Sequence, residues 1–400
     1  MFDLALHGGI FADGGDLVNG IDDFVVFGEK ILKGELVEAY ISGQSLSTII
    51  NASDSYSFFE FSPQGNRFFT VKGSSYDVNI YDVVGDNFVH LGVVDVKPPG
   101  NAVDISSNFD GSVFATAQEF YGIFVYREFS DGYKKVPLDI TPSGYGYATA
   151  FNDDGDLLFI GHQYSPFISI YKWNGSTYVK VANSPNLPSN VVKSLVYRDH
   201  ILYCNVGDAL GIQVYEVSPE GLLTKIPHTV TKPNSNFIYG RKLRLSPDGK
   251  RLATMAQDGS QHTLVIYDVD NGKIMKAITY GSASSFYGVN FLNNSTLIFS
   301  QGSALAFLSM RNIQWSSFGP RHSISASSNV IAINKEKGLI AADSNSGNRF
   351  NVFDGKKHSI KSSGKLRNFT GTNPIVSEIG YAKQSGVAGQ VKKIKSLWGV

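Results

Sequence analysis

Leu245-Ser246-Pro247-Asp248-Gly249-Lys250-Arg251, leading to Ile266-Tyr267-Asp268-Val269, is the clearest copy of a phrase that recurs along the chain. An apolar run enters a Ser-Pro-Asp-Gly turn, a second run leaves it, and a third ends in an aromatic residue and an acid. The phrase returns as Phe61-Ser62-Pro63-Gln64-Gly65-Asn66-Arg67, leading to Ile80-Tyr81-Asp82-Val83. Further copies close on Val125-Tyr126, Ile170-Tyr171, Val214-Tyr215, Leu308 (a degenerate copy) and Val352-Phe353. The closing positions 81, 126, 171, 215, 267, 308 and 353 are separated by 45, 45, 44, 52, 41 and 45 residues. Short strands and turns recurring with a period in the forties predict the blades of a β-propeller.

Each copy obeys one grammar. In the first, residues 57–61 predict a strand, 63–66 a turn, 67–71 a second strand, 77–83 a third and 88–94 an outer one. Asn108-Phe109-Asp110-Gly111 and Asp153-Asp154-Gly155-Asp156 occupy the same turn in the next two copies, where Asp-Gly supplies positive φ. The expectation is an all-β chain, a seven-bladed β-propeller with non-repeat N- and C-terminal arms. Residues 1–51 form an acidic arm with ring-closing strands, 52–360 the propeller, and 361–400 a basic arm. Ring closure needs strands from both chain ends, because an open seam leaves unpaired edges. Residues 35–50 and the stretch after Phe353 are the candidates.

Composition supports this. Hydrophobic residues make up 42% of the chain, enough for a sizeable core, and charged residues only 18%. Gly, Ser, Asn, Tyr and Phe are abundant, as tight turns and half-buried strands require. The one cysteine, Cys204, excludes an intrachain disulfide framework, and its apolar setting predicts a buried thiol. No basic-then-apolar leader opens the chain, and no run of about 18 apolar residues offers a membrane span.

The net charge is zero but unevenly placed. Residues 1–60 carry ten acids against Lys30 and Lys33, a net of −8, and residues 355–400 carry nine bases against Glu378, a net of +8. Such asymmetry speaks of partners rather than of fold. Asp13, Asp16, Asp22 and Asp23 at one end, and Lys392, Lys393, Lys395 and Trp398 at the other, are therefore the candidate inter-subunit contacts. Val387, Val391, Ile394, Leu397 and Trp398 recur at helical spacing and predict a short basic amphipathic helix.

Candidate chemistry is sparse. The eight histidines are scattered, with no zinc spacing and no Cys/His nucleophile pattern. Gly249-Lys250-Arg251 lacks the upstream glycine and the hydroxyl of a phosphate loop. Gly144-Tyr145-Gly146 begins like a dinucleotide loop without its third glycine. Asn152-Asp153-Asp154-Gly155-Asp156 has the oxygens for calcium but falls on the repeat turn, so it reads as a hairpin. The expectation is no catalytic residue, no metal and no cofactor. A basic tail with only Phe369, Tyr381 and Trp398 does not predict nucleic-acid binding.

The phrase from Ser246 to Ala253 followed by Ile266-Tyr267-Asp268-Val269 resembles WD-repeat propellers and related bacterial propellers, including the lactonase-like group. The resemblance spans about three quarters of the chain and is specific to the fold. Tyr-Asp or Tyr-Lys stands where a true WD repeat has Trp-Asp. The lactonase-like enzymes use acids, His and Arg around the channel, and no motif carries those roles onto positions here. More loosely, a nearly Cys-free propeller rich in Tyr, Asn, Ser and Gly, with long arms, is similar to virion tail components of short-tailed bacteriophages. Tail nozzle proteins of that group carry a propeller and assemble as a ring of six. This resemblance implies a non-enzymatic assembly protein located in the virion and assembled in the host cytoplasm. Its partners would be itself, as a ring that the resemblance makes hexameric, and other virion proteins, with the acidic arm of one subunit meeting the basic arm of the next. The alternatives are a propeller hydrolase of the lactonase type and a monomeric cytoplasmic adaptor that binds protein on the propeller face.

Overall fold

The computed structural model is all-β. It describes residues 56–280 apart from 73–76, 86, 95–101, 119–121, 208–210, 228–237 and 259–260. Beyond these it describes 23–27, 35–41, 288–294, 296–301, 304–309, 318–323, 330–335, 339–344, 349–354, 358–365, 378–382 and 391–396. The chain divides into two compact units.

The unit of Ile49–Ala283 and Gly347–Phe350 holds five four-stranded antiparallel meanders. Sheet 1 comprises Tyr56–Phe61, Arg67–Lys72, Val78–Val84 and Asn87–Val94, within a residue or so of the strands the sequence predicts. Sheet 2 comprises Ala102–Ser107, Val113–Gln118, Gly122–Phe129 and Gly132–Val136. Sheet 3 comprises Gly146–Phe151, Leu157–His162, Ile168–Trp173 and Tyr178–Lys180. Sheet 4 comprises Val192–Arg198, Ile201–Val206, Gly211–Val217 and Leu223–Lys225. Sheet 5 comprises Ile238–Leu245, Arg251–Asp258, Gln261–Asp268 and Ile274–Tyr280. Their first strands lie beside one another in order, a propeller-like arrangement.

The turn between first and second strands is built alike in four sheets. Ser62 Oγ, Asn108 Oδ1, Asn152 Oδ1 and Ser246 Oγ accept the amide of the residue five places on, at 3.1, 3.0, 2.9 and 2.9 Å. Three residues after each stands Gly65, Gly111, Gly155 or Gly249, with φ of 76, 78, 71 and 72°. Only glycine takes that backbone without a Cβ penalty, which explains the recurring Gly of the phrase. The aromatic anchor falls on the third strand. Tyr126, Tyr171, Tyr215 and Tyr267 are buried there, and the hydroxyls of Tyr171 and Tyr215 donate to the carbonyls of Ile140 (2.7 Å) and Asn186 (3.2 Å). A large ring with a satisfied hydroxyl fills the gap between sheets at low polar cost.

Apolar faces meet between successive sheets. Phe69, Val71 and Ile80 of sheet 1 pack on Ile105, Phe114 and Phe124 of sheet 2. Val113, Ala115 and Val125 of sheet 2 meet Leu158, Ile160 and Tyr171 of sheet 3. Leu157, Phe159 and Ile170 of sheet 3 meet Leu202, Cys204 and Val206 of sheet 4. A cation from each of sheets 1 to 4 also reaches the next. Arg67 Nη2 reaches Glu128 (3.2 Å) and its Nε donates to the Tyr133 hydroxyl (3.3 Å), which donates to the Gly111 carbonyl (2.7 Å). Arg127 donates to the Gly155 carbonyl (2.7 Å) under the Trp173 ring. Lys172 donates to the Pro219 carbonyl (2.9 Å), and Arg198 to those of Ser246 and Pro247. Hydrophobic burial thus supplies the adhesion and these bonds fix the register.

The unit of Met1–Thr48, Ser284–Ser346 and Asn351–Val400 holds sheet 6, most of sheet 7 and a barrel. Sheet 6 comprises Val289–Asn293, Thr296–Gln301, Ala304–Ser309 and Phe318–Ser323; sheet 7 comprises Ile331–Asn334, Leu339–Ser344 and Arg349–Asp354. Asn290 Nδ2 donates to the Ile331 carbonyl (3.2 Å), joining their first strands. Leu308 and Phe353 keep the third-strand place of the anchor.

The barrel is closed, with strand order Asp23–Phe27, His358–Lys365, Glu35–Ile41, Glu378–Ala382, Val391–Ser396. One correction follows. Residues 391–396 form a strand rather than the helix that their spacing predicts: β-branched Val391 and Ile394 pair with residues 23–26, and tertiary pairing overrides a short periodicity. The candidate ring-closing strands, Glu35–Ile41 and the segment after Phe353, pair with each other in the barrel, and sheet 7 shows three strands among the described residues.

Candidate functional site: ion pairs across the first strands

Each first strand of sheets 1–5 carries a register shift near its start: Tyr56/Phe58, Ala102/Asp104, Gly146/Ala148, Val192/Ser194 and Tyr239/Leu243. Such bulges re-aim side chains. Counting back from the shared turn, Phe58, Asp104 and Lys242 stand four residues before Ser62, Asn108 and Ser246. Glu60, Ser106 and Arg244 stand two residues before.

The two levels are bridged. The Lys242 ammonium donates to the Asp104 carboxylate, and Arg244 Nη2 to the Glu60 carboxylate. Lys242 Nζ also lies 4.5 Å from the Phe58 ring centroid. Asp104 Oδ2 accepts the Thr149 amide (2.9 Å), and Ser106 Oγ donates to Thr149 Oγ1 (2.8 Å), bringing sheet 3 into the network. Side-chain exposures are 10% and 11% for Asp104 and Lys242, and 13% and 18% for Glu60 and Arg244. Sheets 1 and 2 therefore touch sheet 5 directly, so the five first strands surround a common centre. Two negative and two positive groups neutralise one another there, and Coulomb attraction between partners opposes the cost of their desolvation.

Other reactive groups lie away from this centre. His162, on the second strand of sheet 3, is buried with Nε2 2.9 Å from Ser169 Oγ. Burial, helped by the Lys180 charge, pushes its pKa down to about 4, so the ring is neutral at pH 7. Cys204 is buried and its thiol is pushed up by desolvation, as its apolar setting predicts. Asn152–Asp156 is the hairpin turn described above, and Gly146 opens the first strand of sheet 3. Among the described residues no three His, Cys, Asp or Glu side chains gather as metal ligands. Among them, too, no helix is long and apolar enough to cross a membrane.

The charged contact residues separate into two groups. Asp13, Asp16, Asp22 and Trp398 lie outside the described residues. Asp23 opens the first barrel strand, and Lys392, Lys393 and Lys395 lie on the last. These strands pair antiparallel, with Phe24 opposite Lys393 and Val25 opposite Lys392. Described strands from the acidic and basic regions, Asp23–Phe27 and Val391–Ser396, thus share a barrel. Sequence reasoning missed Glu60, Asp104, Lys242 and Arg244. The available signal was opposite charge at equal offsets from the repeat turn, in copies far apart along the chain.

No protein-family model matches the chain, and no curated protein matches it.

Proposed function

We propose that this chain is a non-enzymatic assembly protein, a bacteriophage virion tail component of the nozzle or tail-tube type, with a seven-bladed β-propeller as its rigid body. The observation that carries the scaffold reading is the pairing of Asp104 with Lys242 and Glu60 with Arg244. It commits the charged groups of the first strands to holding sheets together. The virion assignment draws on the resemblance in composition and architecture to propeller-bearing tail proteins. In this reading the seven sheets close into one ring, and the barrel that joins both chain ends is the joint through which subunits meet head to tail with one another and with other virion proteins. Mass photometry of the full chain at low and high salt tests it. A ring oligomer is the expected result, weakened by salt where charge pairing contributes. A monomer at micromolar concentration under both conditions, absent from any particle, overturns it.

A second reading, a hydrolase of the lactonase type, has one observation in its favour: two acids, a lysine and an arginine converge among the first strands. It requires lactone turnover that Glu60→Gln or Asp104→Asn abolishes in a folded protein. The absence of turnover across a lactone panel removes it.

A further inference from the structure

Two neighbouring loops of sheet 3 build an aromatic platform. The segment entering its first strand runs Ser143-Gly144-Tyr145-Gly146-Tyr147, and the turn between its second and third strands runs Gln163-Tyr164-Ser165-Pro166-Phe167. The loops are tied together. The Gln163 amide donates to the Tyr145 carbonyl (3.1 Å), and the Tyr145 amide donates to Gln163 Oε1 (3.4 Å). The turn is closed by the Phe167 amide on the Tyr164 carbonyl (2.7 Å) and the His162 amide on the Phe167 carbonyl (3.0 Å).

Tyr164 rests on Gly144. A Cβ at Gly144, where φ is +80°, would lie 2.6 and 2.7 Å from Cδ2 and Cε2 of the ring. The glycine therefore serves as a seat that no other residue provides. Supported on that side, Tyr164 remains 55% exposed. Tyr145 and Tyr147, half-buried beside it, stand edge to face with centroids 6.4 Å apart. From 140 to 151 and from 163 to 171 neither segment contains a charged residue, while Ser143 and Ser165 are exposed.

From this geometry we infer that the platform binds a neutral carbohydrate chain, with a pyranose ring stacked on Tyr164. A pyranose presents a face of C–H groups to an aromatic ring and hydroxyls around its edge to serine and amide groups. A nucleic acid requires phosphate neutralisation, and neither segment carries a Lys or Arg. A stable protein partner requires roughly 800 Å² on each side, more than one exposed ring and its rim supply. The inference goes beyond the assembly reading and does not depend on it.

Affinity electrophoresis of the full chain tests it, through native gels holding dextran, glycogen, galactomannan or hydroxyethylcellulose, with heparin and oligothymidylate as charged controls. Retardation by at least one neutral polymer is expected. Tyr164→Ala should weaken it at least about tenfold, the worth of one good aromatic contact, and Tyr164→Phe should retain it. Saturation transfer from aromatic protons to the C–H protons of the retarding sugar checks stacking in the unmutated protein. No retardation by any neutral polymer, retardation by the charged controls alone, binding that survives Tyr164→Ala, or no saturation transfer would each overturn the inference.

Discussion

The Arg244 guanidinium donates to the Glu60 carboxylate across 184 positions of the chain, joining the first strand of sheet 5 to that of sheet 1. Three sheets, 2 to 4, lie between the start of this arc and its end, so the contact exists only when every intervening sheet is stacked. With Asp104 and Lys242 it forms a double tie whose members are each over four-fifths buried. Removing one partner strands a charge where water cannot solvate it. Arg244→Met should therefore cost about 3 kcal/mol, and Arg244→Met with Glu60→Leu clearly less. Urea unfolding of both variants decides this. A double variant as unstable as Arg244→Met would mean that a stranded Glu60 charge is not the cause of the loss.

Gly111 and Gly175 both have positive φ, 78 and 102°, but different surroundings. A Cβ at Gly111 would sit 2.6 Å from Arg67 Cγ, whereas nothing lies within 4 Å of one at Gly175. Alanine at 175 meets only backbone strain, about 1 kcal/mol; alanine at 111 also displaces the Arg67 bridge between sheets and should cost about 3 kcal/mol. Thermal melts of the two variants should rank in that order.

His162 titrates near 4 in the folded chain against an ordinary 6.5. Between those values the unfolded state binds the extra proton, so stability is full above about pH 6.5 and falls as pH drops towards 4. The loss reaches about 3 kcal/mol. His162→Gln should flatten this part of the stability–pH curve. An unchanged slope in denaturant titrations at pH 7, 6, 5 and 4 would contradict the assignment.

Cys204 is fully enclosed between sheets 3 and 4, and desolvation raises its thiol. A thiol-specific disulfide reagent at pH 8 should leave the folded protein unlabelled and react once per chain after guanidinium is added. Labelling at the rate of a free thiol without denaturant would show that this gap opens.

Much of the fold was legible because its signals are local. Ser246, Asp248 and Gly249 satisfy a turn within six residues, and Tyr267 fills the gap beside its own strand, so a period read along the chain marks each sheet. Residues 391–396 were misread for the complementary reason. Valine and isoleucine three apart with lysines between them suit a helix face or a strand, and only the partner strand at 23–26 decides. The Tyr164 platform was also invisible, because Gly144 and Gln163 meet only after a strand has crossed the sheet and returned.

The all-β class, the repeat and the turn chemistry can be read along the chain, since hydrogen bonds over five residues and strand alternation are properties of neighbours. Which charges meet depends on the folded chain. Equal offsets from the repeat turn put Glu60 level with Arg244 and Asp104 level with Lys242, but stacking alone brings copies so far apart in sequence together. Residues 23–27, 35–41, 358–365, 378–382 and 391–396, from the two oppositely charged ends, become strands of one barrel, because an unpaired backbone edge is satisfied by the nearest strand, however far away it lies in sequence.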